Sequence, residues 1–239
     1  MHLMTTLRTW LWFPVFVGLL SGCALPSTAL LREETGQRVG GTARVIVMPL
    51  DIELSELTVG GLHEPKADWT EQGRQHVAAA LERFLQTKGA LVVPYQPPAD
   101  GQDDEVQNEQ LLKLHDAVGD AILRHKYMPI FALPTKAKRF DWTLGASVRD
   151  LQARSGADYA LFVVFRDSYA SPGRVALMVG ATLFRVAVPG GVQVGFASLV
   201  DLRTGNILWF NRLIDPAGDL RTSKPATRAV ESLLVKLPL

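Results

Sequence analysis

Two kinds of apolar pattern alternate along this 239-residue chain. Short unbroken runs rich in β-branched residues predict strands buried on both faces. The first spans Arg44 to Leu50, with Val45, Ile46, Val47 and Met48 closed by Pro49. The second is Tyr159 to Phe165. Between them the apolar spacing turns helical. Val77, Ala80, Leu81, Phe84 and Leu85 predict an amphipathic helix from Trp69 to Lys88. Asp68 is its expected N-cap, with Glu71 completing a capping box, and Gly89 is its stop. A short strand follows at Leu91–Val93, then a turn-rich stretch from Pro97 to Asp104. Leu111, Leu114, Val118, Ala121 and Ile122 predict a second helix over Glu105 to Lys126, and Val148 and Leu151 a third over Leu144 to Ser155, ended by Gly156. Asp51 to Lys66, with Gly60-Gly61 and Pro65, is expected to be a loop.

The second half begins with a turn at Ser171-Pro172-Gly173 and an unusually apolar segment, Val175 to Val188, whose one charge is Arg185. Pro189-Gly190-Gly191 turns the chain again. Strands are then expected at Val192–Val200 and Ile207–Leu213, joined by Asp201-Leu202-Arg203-Thr204-Gly205-Asn206, where Gly205 and Asn206 tolerate positive φ. A last helix is expected around Thr227 to Lys236. Together these elements predict a single α/β domain, a mixed β-sheet packed with helices.

The N-terminus changes where this domain is expected to work. Arg8 precedes an apolar run from Trp10 to Leu20, too short for a comfortable span, and Leu20-Ser21-Gly22-Cys23 follows. Cys23 is the only cysteine. The layout resembles the lipobox of bacterial lipoproteins. That resemblance implies cleavage before Cys23, a diacylglycerol on its thiol and an acylated (palmitate-like) new N-terminus. Ala24, where an aspartate would favour retention at the inner membrane, implies transfer to the outer membrane. The expected divisions are a signal peptide over 1–22, an acylated cysteine and tether over 23–43, and a periplasmic domain over 44–239. Without Arg8 the 25 basic residues become 24, against 24 acidic ones. A balanced chain lacks the electrostatic footprint of a nucleic-acid binder. With the thiol committed to lipid, a disulfide, a thiolate metal site and a cysteine nucleophile are all excluded for the exported domain.

The order of elements also resembles a family. A helix stops at Ser155-Gly156-Ala157-Asp158-Tyr159, which enters a buried strand, and a strand pair carries Leu199-Val200-Asp201-Leu202-Arg203-Thr204-Gly205 at its turn. Over roughly Arg44 to Leu213 the chain looks like the periplasmic α/β domains related to the curli-secretion protein CsgG and the N-terminal domain of TolB. The resemblance implies assembly or scaffolding at the envelope and supplies no catalytic residues. Asp201, Thr204 and Gly205 match, and a structural turn accounts for them. The long alternating hairpins of the pore-forming members are missing here.

Candidate chemistry is sparse. His63, His76, His115 and His125 show no metal-ligand spacing, and no cofactor or metal is expected. Asp51, Glu53 and Glu56 cluster past the first strand without a base or nucleophile beside them, so a solvated loop is the plainer reading and weak cation binding the sharper one. Ser168 and Ser171 lie in no Gly-x-Ser-x-Gly, Arg166-Asp167 looks like a strand's exit into solvent, and Gly180 and Gly190-Gly191 fit no phosphate or dinucleotide motif. Val175 to Val188 leaves two readings open. One is a core element of the same domain. The other is a contact with lipid or with another subunit through Val175, Leu177, Met178, Val179, Leu183 and Phe184. The expected function is a non-enzymatic interaction or assembly module, lipid-anchored, facing the periplasm, with an envelope protein partner and a homo-oligomer as candidates. A lipid-anchored hydrolase of envelope polymers and a membrane-inserting secretion subunit are the alternatives.

Overall fold

The computed structural model describes residues 29–33, 43–98, 103–136 and 138–239. The lipobox Leu20, Ser21, Gly22 and Cys23 lies outside the described residues, as does most of the expected tether. Among the described residues five α-helices flank one eight-stranded mixed sheet. In chain order the strands are β1 (Leu30–Leu31), β2 (Arg44–Val47), β3 (Asp51–Leu57), β4 (His63–Pro65), β5 (Leu91–Val93), β6 (Tyr159–Ala170), β7 (Gln193–Asp201) and β8 (Ile207–Asp215). The helices are α1 (Ala67–Thr87), α2 (Asp103–Tyr127), α3 (Arg149–Ser155), α4 (Pro172–Leu183) and α5 (Ser223–Leu233).

The sheet runs β1-β8-β7-β6-β2-β5, antiparallel from β1 to β6 and parallel from β6 through β2 to β5. β6 is its spine. β2 pairs with its first residues and β3 with Val164 to Ala170, both in parallel. Strand side chains alternate between faces, and β6 divides accordingly. Leu161, Val163 and Phe165 join Val77, Leu81 and Leu85 of α1 and Ala226, Val230 and Leu233 of α5. Ala160, Phe162 and Val164 join Leu111 and Ile122 of α2 and Leu151 of α3 on the other side. Burial on both faces explains why Tyr159 to Phe165 is apolar without alternation.

The short motifs hold the layers in register. Gly156 caps α3 at φ +61°, and its N–H returns to the Gln152 carbonyl at 2.8 Å. Asp158 then clamps the head of β2. Its carboxylate accepts from the Arg44 N–H at 2.9 Å, while its own N–H donates to the Arg44 carbonyl at 2.8 Å. At the β7–β8 turn Asp201 Oδ1 accepts from the N–H groups of Arg203 and Thr204 at 2.8 and 3.1 Å. Gly205 has φ +76° and lies so close to Gly145 that a Cβ would come within 1.9 Å of its carbonyl oxygen. These residues do architectural work. Of the two residues that tolerate positive φ at this turn, Gly205 uses it and Asn206 does not.

Several expectations are corrected. Asp51 to Lys66 is mainly β3 and β4, not a loop, because Ile52 and Leu54 alternate inward with exposed Asp51 and Glu53, and β3 pairs along its length with β6. Asp68 is not an N-cap. Helix α1 begins at Ala67 behind Lys66, and Glu71 bonds Arg74 and Gln75 on the helix surface. Leu144 to Ser155 is a 3₁₀ turn over Gly145–Val148 followed by α3. β6 does not leave the sheet at Phe165 but continues to Ala170. Leu30–Leu31, inside the segment expected to be tether, pairs antiparallel with β8.

Candidate functional site

Helix α4 leaves the end of β6. Ser171 caps it, with Oγ accepting from the Arg174 N–H at 3.2 Å, and Pro172 fills the first position, where its missing N–H costs nothing. At the other end the Val186 N–H reaches the Ala181 carbonyl and the Arg185 N–H the Thr182 carbonyl, both at 3.0 Å. That is a Schellman closure with Arg185 at the left-handed position, φ +58°, in place of the usual glycine. No glycine marks this stop, so the sequence pattern runs past it.

The burial of α4 is inverted. Its only buried residue is Arg174, 8% exposed. Val175, Leu177 and Val179 are exposed, as is Val186 beyond the helix, and Leu183 and Phe184 are each 81% exposed. Met178 is half-buried against Gly190. Of the two readings left open for Val175 to Val188, membership of the core is the one that does not hold.

Arg174 fastens this helix to its surroundings. Nε donates to the Pro189 carbonyl at 2.9 Å, and Nη1 to those of Thr58 and Val59 at 3.1 and 3.4 Å. Thr58 and Val59 belong to the β3–β4 tip, closed by the Thr58 N–H on the Leu62 carbonyl at 2.9 Å. Val59 and Leu62 are exposed there, Leu62 at 71%. Gly173 approaches so closely that a Cβ would lie 2.6 Å from Val59 Cγ2. Helix and tip therefore form one apolar surface around a buried cation. Sequence reasoning misses Val59, Leu62 and Arg174. The tip reads as loop, and an arginine beside Pro-Gly gives no sign of burial.

The other candidate side chains serve the scaffold. Ser168 stitches β6 to the turn before β7, with Oγ donating to the Val192 carbonyl and accepting its N–H. Asp167, 2% exposed, is no strand exit. Tyr169 Oη, Gln193 Nε2 and the Leu220 N–H all donate to it, binding the β8–α5 connection to the sheet. Burial pushes its carboxyl above the ordinary range, partly countered by these donors. Asp51 pairs with Arg166 of β6 at 2.8 Å and Glu56 with Lys66, the residue before α1, at 2.9 Å, so these two acids after the first strand face separate cations. Among the described residues no three His, Asp or Glu side chains converge on a metal position.

One pair has the look of chemistry. His115 on α2 lies 2.7 Å through Nε2 from Ser198 Oγ, and Asp51 lines the same shallow groove along the helix. The pair lacks what a nucleophile needs. Ser198 is wholly buried in β7, and His115 is 3% exposed and stacked on Phe162 at 4.0 Å. Burial lowers the imidazole to about 3, and no carboxylate bonds its ring among the described residues. A general base works best with a pKa near the operating pH and an orienting partner. His115 and Ser198 satisfy each other inside the second core. His63 bonds Ser55 and His125 bonds the Phe131 carbonyl.

No protein-family model matches the chain, and no curated protein matches it. Among solved structures it is similar to the PelC dodecamer from Paraburkholderia phytofirmans, at 12% identity over 87% of this chain and 94% of that one, TM-score 0.39. It is similar also to lipoprotein GNA1162 from Neisseria meningitidis, at 16% over 72% and 81%, TM-score 0.29. The LpoB C-terminal domain from Salmonella enterica shares 14% over 74% and 86%, TM-score 0.26. At scores of this size the fold stands on its own register and burial.

Proposed function

We propose that this chain is an envelope lipoprotein, cleaved after Gly22 and acylated at Cys23, and that it acts as a non-enzymatic interaction or assembly module on the periplasmic side of the outer membrane. In this reading α4 and the β3–β4 tip rest on the bilayer. The observation that carries it is the inverted burial of α4, a 12-residue helix with its apolar residues outward and its arginine inward. Contiguous exposed apolar surface marks a membrane or protein contact. Among the described residues no helix is long and apolar enough to cross a membrane, so the contact is interfacial.

Chain direction supports lipid as the occupant. Leu31 pairs with Trp209 and Leu30 with Phe210, so the chain enters β1 from the Asp215 end of β8. Asp215 pairs with Gln193, the first residue of β7, and the loop ahead of Gln193 descends from α4. The anchor side of β1 thus faces the end of the sheet that carries α4. Six residues lead from Cys23 to Ala29, which packs against the core. Fully extended they span about 20 Å. Acylation at Cys23 would hold that end against the bilayer, and the resemblance to CsgG and TolB domains fits a scaffolding role there. The hydrolase reading would rest on His115 and Ser198, and that pair is buried.

Fractionation of cells carrying Cys23→Ser tests the anchor. The variant is expected in the soluble periplasmic fraction after a carbonate wash, with the parent in the outer membrane. A Cys23→Ser variant that stays in the membrane fraction even with Leu183→Asp and Phe184→Asp added would refute both the lipid and the helix as anchors.

A further inference from the structure

The same end of the sheet carries a cleft on its other face. Helix α2 closes down on the sheet at Gly119, where a Cβ would strike the Phe196 ring at 2.4 Å. Past that contact the helix and the ends of β6, β7 and β8 enclose about 440 Å³. This is within the range of small-ligand sites. Leu123, Met128, Val164 and Ile214 give it apolar walls, with Met128 and Ile214 exposed at its rim. Charges of both signs face it. Asp116 and Asp120 stand one helical turn apart on α2, and Arg166 and Arg212 come from β6 and β8.

Arg166 is engaged by Asp51 at 2.8 Å. The remaining three groups are not matched. Arg212 lies over Tyr127, its Cζ 4.2 Å from the ring centroid, a contact that takes up none of its N–H donors by an ion pair. Among the described residues neither it nor Asp116 nor Asp120 has an ion pair within 4 Å. Burial raises the Asp116 carboxyl, and Asp120 and Asp51 raise it further, against the opposing pull of Arg166. An arriving cation would relieve that repulsion.

We propose that this cleft binds a phosphoethanolamine group, its ammonium between Asp116 and Asp120 and its phosphate on Arg212. The ligand class follows from the charge pattern, two carboxylates for one compact N–H cation and a planar guanidinium for one anion. The apolar walls and the position near α4 make a lipid headgroup the fitting source, and that part rests on the bilayer-contact reading above. Free O-phosphoethanolamine offers the same chemistry without a membrane. A trimethylated headgroup has no N–H to donate and is disfavoured.

Calorimetric titration of the full-length protein in neutral detergent with O-phosphoethanolamine tests the cleft without calling on α4. Binding is expected, weakened about tenfold with O-phosphocholine, and about tenfold or more by Arg212→Gln or by Asp116→Asn with Asp120→Asn, each factor corresponding to about 1.4 kcal/mol. Leu183→Asp with Phe184→Asp should leave it unchanged. No binding, equal binding of the two compounds, or binding indifferent to the cleft variants would overturn the proposal. Flotation with vesicles then separates the sources. With Cys23→Ser protein, which no acyl chain holds on the vesicle, cleft variants should lose a preference for phosphatidylethanolamine over phosphatidylcholine, while the α4 variants lose attachment to both. Binding of the free compound without any lipid preference would overturn the headgroup assignment and leave the α4 reading as it stands.

Discussion

Helices α4 and α5 have nearly the same length, 12 and 11 residues, and opposite relations to the core. α5 places Lys224, Arg228 and Glu231 in solvent and buries Ala226, Ala229, Val230 and Leu233 against α1 and the sheet. α4 has far more apolar residues and buries none of them. A polar stripe tells a helix which way to turn, because it leaves one face for the core. With no stripe, apolar content alone does not choose between the inside of the domain and an outside partner. In α4 the choice is made by tertiary contacts, the carbonyls of Thr58, Val59 and Pro189 that take the Arg174 guanidinium.

Paired substitutions break this contrast most sharply. Val230→Asp in α5 puts a carboxylate into the core without a partner and should cost about 4 kcal/mol or more. Val179→Asp in α4, already in solvent, should stay within about 0.5 kcal/mol. Urea unfolding of both variants reads the difference, and equal losses would mean that α4 is packed like α5.

A smaller effect is expected at the clamp. Arg174→Met leaves the Pro189 and Thr58 carbonyls without their donor, at a cost of about 1–3 kcal/mol. Hydrogen exchange should quicken in α4 and the β3–β4 tip while α5 keeps its protection. Uniform loss across both helices would show that Arg174 serves the whole core.

The smallest effect, read over a single pH unit, is a slope in the second core. His115 is held near 3 when folded, below its ordinary 6.5, so only the unfolded chain takes up a proton between those values. Stability from this group is complete above about pH 6.5 and lost as pH falls toward 3. Asp167 tilts the other way, because its raised carboxyl favours the folded state where it is protonated and loses that advantage as pH rises. The difference between the parent and His115→Gln isolates the histidine. That difference should shrink steadily below pH 6.5, and a flat difference would mean that the imidazole is not buried neutral.

Much of the scaffold was legible in the chain because its signals are local. The helical spacing of Val77 to Leu85, the stop at Gly156 and the Asp201–Gly205 turn each depend on neighbours within a few residues. What was hidden depends on distant partners. Glu56 and Leu57 break the period of two that Asp51 to Leu54 begin in β3, and the strand is held to its end by pairing with β6, far along the chain. Arg166 and Asp167 interrupt an apolar run with charge, yet β6 continues because Asp51 and the Leu220 N–H receive them. The apolar segment of α4 was visible, but its outward orientation was not, since the anchoring carbonyls come from two other parts of the chain.

The outward helix as a lipid contact is tested most directly by Phe184→Trp in the full-length protein, reconstituted into vesicles that carry brominated acyl chains. Fluorescence from the introduced indole, taken as the difference from the parent protein, is expected to be quenched strongly relative to the same protein in unbrominated vesicles. Fluorescence that bromine leaves untouched, with the protein still attached to the vesicles, would contradict the account and point to a protein surface as the cover for α4.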